Sequence, residues 1–251
     1  MVHQEFISVE SVSKKFGTGA AQVTALQDVT LSFGKAEFIC LLGPSGCGKT
    51  TLLNMLAGFE LPSSGRLYAF GEPISRPGAD RTMMFQEYAL FPWLTVSQNI
   101  EYGLKRKGCK KKMRRQISDH YVKLIDLVGF EHKYPCQLSG GMRQRVALAR
   151  ALAVQPKMLL MDEPFAALDS FTRERMQDEL IQVWKAEQKA VIFVTHSIDE
   201  AIKLADKIVV MSPRPGRVSG VIEISDPRPR DLDSPENIQI TRQIRDILHL
   251  V

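Results

Sequence analysis

Eight consecutive residues, Gly43-Pro44-Ser45-Gly46-Cys47-Gly48-Lys49-Thr50, satisfy the pattern G-x-x-x-x-G-K-[ST] at every specified position. A stretch of this kind holds phosphate. Its backbone N–H groups converge on one spot, glycines let the chain approach closely, and the helix that follows points its positive end there. Lys49 then reaches the β/γ-phosphates, and the Thr50 hydroxyl takes one position around Mg²⁺. Thr51 completes the set of loop residues expected to touch a nucleotide.

Four further groups could act with it. Asp162 and Glu163 end the apolar run Met158–Met161; the first suits Mg²⁺, and the second could polarise an attacking water. The alternative for them is a solvated acidic turn. Ser139-Gly140-Gly141 opens a helical stretch with exposed N–H groups, which makes either a second anion site or an ordinary glycine-rich cap. His196 follows the strand-like Val191–Val194 on the side of the phosphate loop, where open α/β sheets bind ligands, although a lone histidine is more often structural. Phe16 is either core or a platform for a purine.

These groups need a scaffold, and the hydrophobic pattern supplies one. Phe38–Leu42 is a continuous apolar run, as in a buried parallel strand, and Leu52, Met55 and Leu56 recur at helical spacing before Gly58. Residues 6–12 and 29–33 alternate apolar and polar, as in an antiparallel layer. Met83–Phe85 looks like a strand that delivers Gln86 to its end. Beyond it the texture is helical: Ile117, Tyr121, Leu124 and Val128 predict one helix up to Gly129, and Val146, Ala149 and Leu152 a second. Ser197 and Glu200 predict a capping box, and Ser234-Pro235-Glu236 opens a last helix with the stripe Ile240, Ile244, Leu248.

Composition narrows the class. The 251 residues are 44% hydrophobic, enough for a sizeable core, and no run of about 18 apolar residues exists to span a membrane. Residues 1–10 lack the layout of a signal peptide, so a cytoplasmic chain is expected. The four cysteines have no metal-ligand spacing and read as reduced thiols. The net charge is +5, yet residues 105–115 alone carry +8, which leaves −3 for the rest. That run is a solvated helix face or a surface for anions such as lipid headgroups; with no aromatic residue interleaved, nucleic acid is not expected.

Taken in order, the motifs resemble the ATP-binding cassette family, the motor subunits of membrane transporters, over about Phe6 to Val221. The resemblance implies an α/β fold: a P-loop NTPase core with a mainly parallel sheet, an antiparallel β subdomain and an inserted α-helical subdomain. It implies an ATP-binding domain over 1–225, with the helical part at about 87–153, and a tail with a helix over 226–251. It implies ATP hydrolysis with ATP and Mg²⁺. By the same resemblance Phe16 stacks on adenine, Gln86 senses Mg²⁺ and the transport partner, and Leu138–Met142 is the family signature. Asp162 holds Mg²⁺, Glu163 is the catalytic carboxylate, Asp169 belongs to a dimer-contacting loop, and His196 is the switch histidine. Two such chains would pair head to tail, each ATP lying between one loop and the other's Ser139, Gly140 and Gly141, beneath permease subunits at the cytoplasmic face of the membrane. The resemblance also implies an extracytoplasmic solute-binding protein as an indirect partner.

Within the family, Arg76–Arg81, Leu90–Val96, Phe171–Arg173 and Pro213–Arg217 resemble the nitrate/sulfonate/taurine import branch, which also includes importers of bicarbonate and thiamine-precursor pyrimidines. Two positions depart from the family: Ala36 stands where Gly is usual, and Ser197 where Asp is usual. The rivals fit less well. A soluble cassette in DNA repair or translation needs tandem cassettes or a long coiled coil, and a P-loop kinase or GTPase leaves Leu138–Met142 without a purpose.

Overall fold

A computed structural model describes residues 6–85, 89–166, 168–187 and 189–249. The chain divides into two compact units, Met1–Gly78 with Lys189–Val251, and Ala79–Gln188.

The first unit holds two sheets. Strand β1 (Ile7–Phe16) pairs antiparallel with β2 (Val23–Phe33) on one side and β4 (Ser64–Ala69) on the other, and the two-residue β5 (Glu72–Pro73) forms the edge. In the other sheet, β3 (Phe38–Leu42) lies parallel between β8 (Ala190–Thr195) and β9 (Lys207–Met211), and β10 (Val218–Glu223) runs antiparallel along β9. Every residue of β3 and β8 is buried, which is why both read as unbroken apolar runs instead of alternating ones.

Helix α1 (Lys49–Ala57) ends where the sequence predicts. Gly58 takes a left-handed conformation, its N–H bonds Met55 O (3.0 Å), and Phe59 N–H bonds Asn54 O (2.9 Å). The last helix, α7 (Pro235–His249), packs on α6 (Ile198–Leu204), β9 and β10, with Ile244 fully buried in its stripe. Two arginines hold the connection before it. Arg230 donates to Ile202 O and Ala205 O, and Arg228 to Leu204 O, so both cations sit on the negative end of α6. Burial and the neighbouring Arg228 bring the Arg230 guanidinium down to about 10.

The second unit pairs β6 (Arg81–Met84) parallel with β7 (Met158–Asp162) and carries α2 (Val96–Arg106), α3 (Lys111–Leu124), α4 (Gly140–Ala153) and α5 (Ser170–Glu187). Helix α3 stops short of the predicted Gly129. Leu127 N–H bonds Val122 O (3.0 Å), Asp126 N–H bonds Lys123 O (3.1 Å), and Asp126 itself adopts φ 53°. This is the glycine-type helix stop built on an aspartate, a residue that tolerates the left-handed region better than most. Val128 therefore lies outside the helix and is exposed.

The loop before α2 is pinned by the fully buried Asn99. Its amide donates to the carbonyls of Phe91 (3.2 Å), Leu94 (3.0 Å) and Thr95 (3.0 Å) and accepts from Phe91 N–H (2.9 Å). The basic run spans the end of α2, a short loop and the first turn of α3. Most of it faces solvent, but Arg114 bonds Glu101 (3.2 Å) and Cys109 O (2.7 Å), and Lys107 bonds Val154 O. The run is thus part of the α2–α3 joint as well as a charged face.

The departure at Ala36 has a structural consequence. It occupies the turn between β2 and β3 at φ 61°, where a Cβ crowds the following carbonyl. Ala36→Gly should relieve that crowding while adding freedom to the unfolded chain, for a net gain of about 0.5 kcal/mol. Urea unfolding of the full chain checks this; a lower midpoint would refute it.

Candidate active site

The phosphate loop leaves β3 and enters α1 within the first unit. Gly48 takes φ 95°, and a Cβ there would stand 2.5 Å from Leu26 Cδ2 and 3.0 Å from Ala25 O, so the loop lies directly on β2. Lys49 is 5% exposed. Its ammonium donates to Gly43 O (2.7 Å) and Pro44 O (3.0 Å) and lies 3.7 Å from Cys47 Sγ. A buried cation needs such partners, and carbonyl dipoles supply them without cancelling the charge. Thr50 is exposed on the first turn of α1.

A second segment, Pro213–Arg217, props the loop. Gly216 pairs with β2, its carbonyl accepting from Gln27 N–H (2.9 Å) and its N–H donating to Ala25 O (3.0 Å). A Cβ on Gly216 would stand 1.9 Å from Cys47 O. Arg214 Nε donates to Gly46 O (3.0 Å). The turn 213–217 is therefore the floor of the phosphate loop. The signal was present in Pro213-Arg214-Pro215-Gly216-Arg217, a turn composition with no visible target in the linear chain.

His196 is exposed one residue after β8. Because Leu42 and Thr195 are partners in the parallel β3–β8 register, the phosphate loop and His196 leave the same edge of the sheet. Ser197 caps α6 through Glu200 N–H (3.3 Å), but the predicted capping box is only half formed. The Glu200 carboxylate accepts instead from the Thr195 hydroxyl, and Ser197 N–H donates to Thr195 Oγ (3.0 Å). Thr195 is 2% exposed, and a buried hydroxyl takes the nearest acceptor. Phe16 ends β1 and is 42% exposed, with Lys14 Nζ 5.0 Å from its ring centroid. Core packing therefore does not account for it.

In the second unit, β7 ends in Asp162, and Glu163 follows in the left-handed region at φ 43°. Both residues are half-buried. Met84 is the register partner of Met161, which directs the chain after β6 toward the same end; Gln86 lies outside the described residues. Ser139 caps α4, its Oγ accepting from Met142 N–H (3.2 Å). The cap and the anion-site readings are thus compatible: the hydroxyl settles one donor, and other N–H groups of the first turn remain at the helix's positive end. Ser139, Gly140, Gly141, Asp169, Phe171 and Arg175 line one cavity of about 270 Å³. Asp169 accepts from Thr172 N–H (2.9 Å) at the start of α5, and that bond holds its carboxyl below the usual range.

No cluster of three His, Cys, Asp or Glu side chains forms among the described residues. Mg²⁺ does not need one, since it takes one or two protein oxygens alongside phosphate and water. Thr50 and Asp162 each carry a hard oxygen donor of the right chemistry. The floor itself is testable. Gly216→Ala should force the 213–217 turn off Cys47 O and weaken binding of a fluorescent adenine nucleotide by about 10-fold or more; unchanged affinity would show that the loop needs no floor.

Comparison with known proteins follows the same lines. The ABC transporter family model matches residues 26–166. An uncharacterized ABC transporter ATP-binding protein of Methanocaldococcus jannaschii is 47% identical over 96% of this chain and 91% of its own length. The nitrate import ATP-binding protein of Synechococcus elongatus is 43% identical over 99% of this chain and 93% of its own. The taurine import ATP-binding protein of Burkholderia pseudomallei is 47% identical over 84% and 82%. Among solved structures, a dimeric ATP-binding cassette in a post-hydrolysis state, bound to ADP and Pi, aligns with a TM-score of 0.76 and 31% identity, covering 88% of this chain and 99% of that one. A match across more than half the residues, with relatives this similar along nearly the whole length, makes the chain a member of the ABC transporter family.

Proposed function

We propose that the chain hydrolyses ATP to power import of a small anionic solute, of the nitrate, sulfonate or taurine type, through a membrane permease. The observation that carries the ATP reading is the buried Lys49 ammonium, held on Gly43 O and Pro44 O inside a glycine-rich loop at a helix start. Its charge is kept in place by groups that phosphate oxygens can replace. Relatives named for nitrate and taurine import support the solute class.

In this reading Gly43 to Thr51 bind the phosphates, and Phe16 stacks on the adenine. Thr50 and Asp162, with Gln86, supply oxygens to Mg²⁺, which offsets charge on the phosphates when bound. Glu163 orients or deprotonates the attacking water, and His196 bonds the γ-phosphate. Ser139, Gly140 and Gly141 of a second copy hold the same γ-phosphate from the other side, as donors aimed at developing charge. Asp169 faces that copy. The functional unit is a pair of chains whose closure around ATP and reopening after hydrolysis move the permease. No helix among the described residues is long and apolar enough to cross a membrane. In this reading the chain sits at the cytoplasmic face, attached to the permease.

Copurification tests the class: recovery with a membrane subunit and an extracytoplasmic binding protein is expected, and recovery with nucleic acid or ribosomes would overturn it. The ligand of that binding protein then identifies the solute. Lys49→Ala should weaken nucleotide binding by at least about 10-fold, the worth of one charged hydrogen bond; wild-type affinity would count against the loop. Glu163→Gln should still bind ATP, lose about 10²-fold or more in turnover, and accumulate as a dimer by light scattering. Unchanged turnover would remove Glu163 from the chemistry.

A further inference from the structure

Helix α4 carries a polar residue at its core, Gln144. Gln144 is completely buried, five residues after the cap Ser139. Its Nε2 donates to Pro164 O at 2.6 Å. A carbonyl can only accept, so the NH₂ end of the amide must face it. The other end, Oε1, meets no donor among the described residues. A buried amide with one end unpaired costs stability, and a methionine of similar volume would fill the helix core more cheaply. Packing therefore does not explain a glutamine here.

The target of the bond does. Pro164 follows Glu163, which sits at φ 43°, a conformation that a residue with a Cβ keeps only when its surroundings hold it. Ala166 N–H reaches back to Glu163 O at 3.2 Å and closes the turn on one side. Gln144 fastens the Pro164 carbonyl on the other. We propose that Gln144 is a positioning residue for Glu163, fixing from the signature helix the turn that aims the carboxylate. This rests on the proposed role of Glu163. It also gives Ser139 and Glu163 a common support: a displacement of α4 is passed to the turn through one short hydrogen bond.

The test is a double-mutant cycle on the full chain, with Mg²⁺-ATP turnover and fluorescent ATP-analogue binding measured side by side. Gln144→Met should lower kcat by about 10- to 100-fold, the scale of a misplaced reacting group, and leave nucleotide affinity within about two-fold. On the Glu163→Gln background the same change should cost nothing further, since its effect runs through that carboxylate. Turnover unchanged in Gln144→Met overturns the positioning role. An equal loss on both backgrounds, or a parallel loss of affinity and thermal stability, overturns it as well and leaves Gln144 a packing residue. Absence of hydrolysis in the wild-type chain removes the function reading, and this proposal with it, whereas hydrolysis lost in Glu163→Gln but not in Gln144→Met removes this proposal alone.

Discussion

A lysine ammonium buried against two carbonyls sets the conditions for the rest of the first unit. Removing a charge from water is tolerated only where dipoles replace the water, and here they belong to Gly43 and Pro44 of the loop that Lys49 itself closes. The loop must therefore be folded tightly enough for its carbonyls to turn inward. That requires a buried strand to launch it, a left-handed glycine to turn it into α1, and a floor to keep it from sagging. β3, Gly48 and the turn around Gly216 meet these three needs in order.

The second unit meets a different constraint. The groups proposed for its chemistry stand where backbone elements end, Asp162 and Glu163 at the end of a strand, Ser139 and Asp169 at helix starts. Ends of elements expose unpaired backbone groups and fixed dipoles, which makes them suited to anions and to carboxylates that must be aimed. The cost is local strain, visible at Glu163 and at Asp126, and in each case neighbouring hydrogen bonds hold the strained residue. Arg145 and Arg175 extend the same logic, both lying within ion-pair reach of Asp126 and of Glu179. The end of α3 is thereby tied to α4 and α5.

The chain belongs to the ABC transporter family, and the residues proposed for its site are dispersed along it. Dispersal has a physical use. In the proposed cycle each of these groups is fixed locally by its own element, and the nucleotide supplies the common centre.

The sequence by itself determined the local features. The phosphate loop, the runs of β3 and β8, the end of α1 at Gly58 and the cap at Ser139 were legible because each depends on residues adjacent in the chain or spaced by one turn. The tertiary structure decided what depends on residues far apart. The floor beneath the phosphate loop joins Cys47 to Gly216; the exposure of Phe16 depends on the sheet around β1; the Glu200 carboxylate left Ser197 for a hydroxyl at the end of the preceding strand; and Gln144 found Pro164 twenty positions on. Helix α3 ended early because an aspartate took the place where the linear pattern offered glycine. In every such case a polar or close-packed atom chose its partner by distance in space, and spacing along the chain carries no record of that choice.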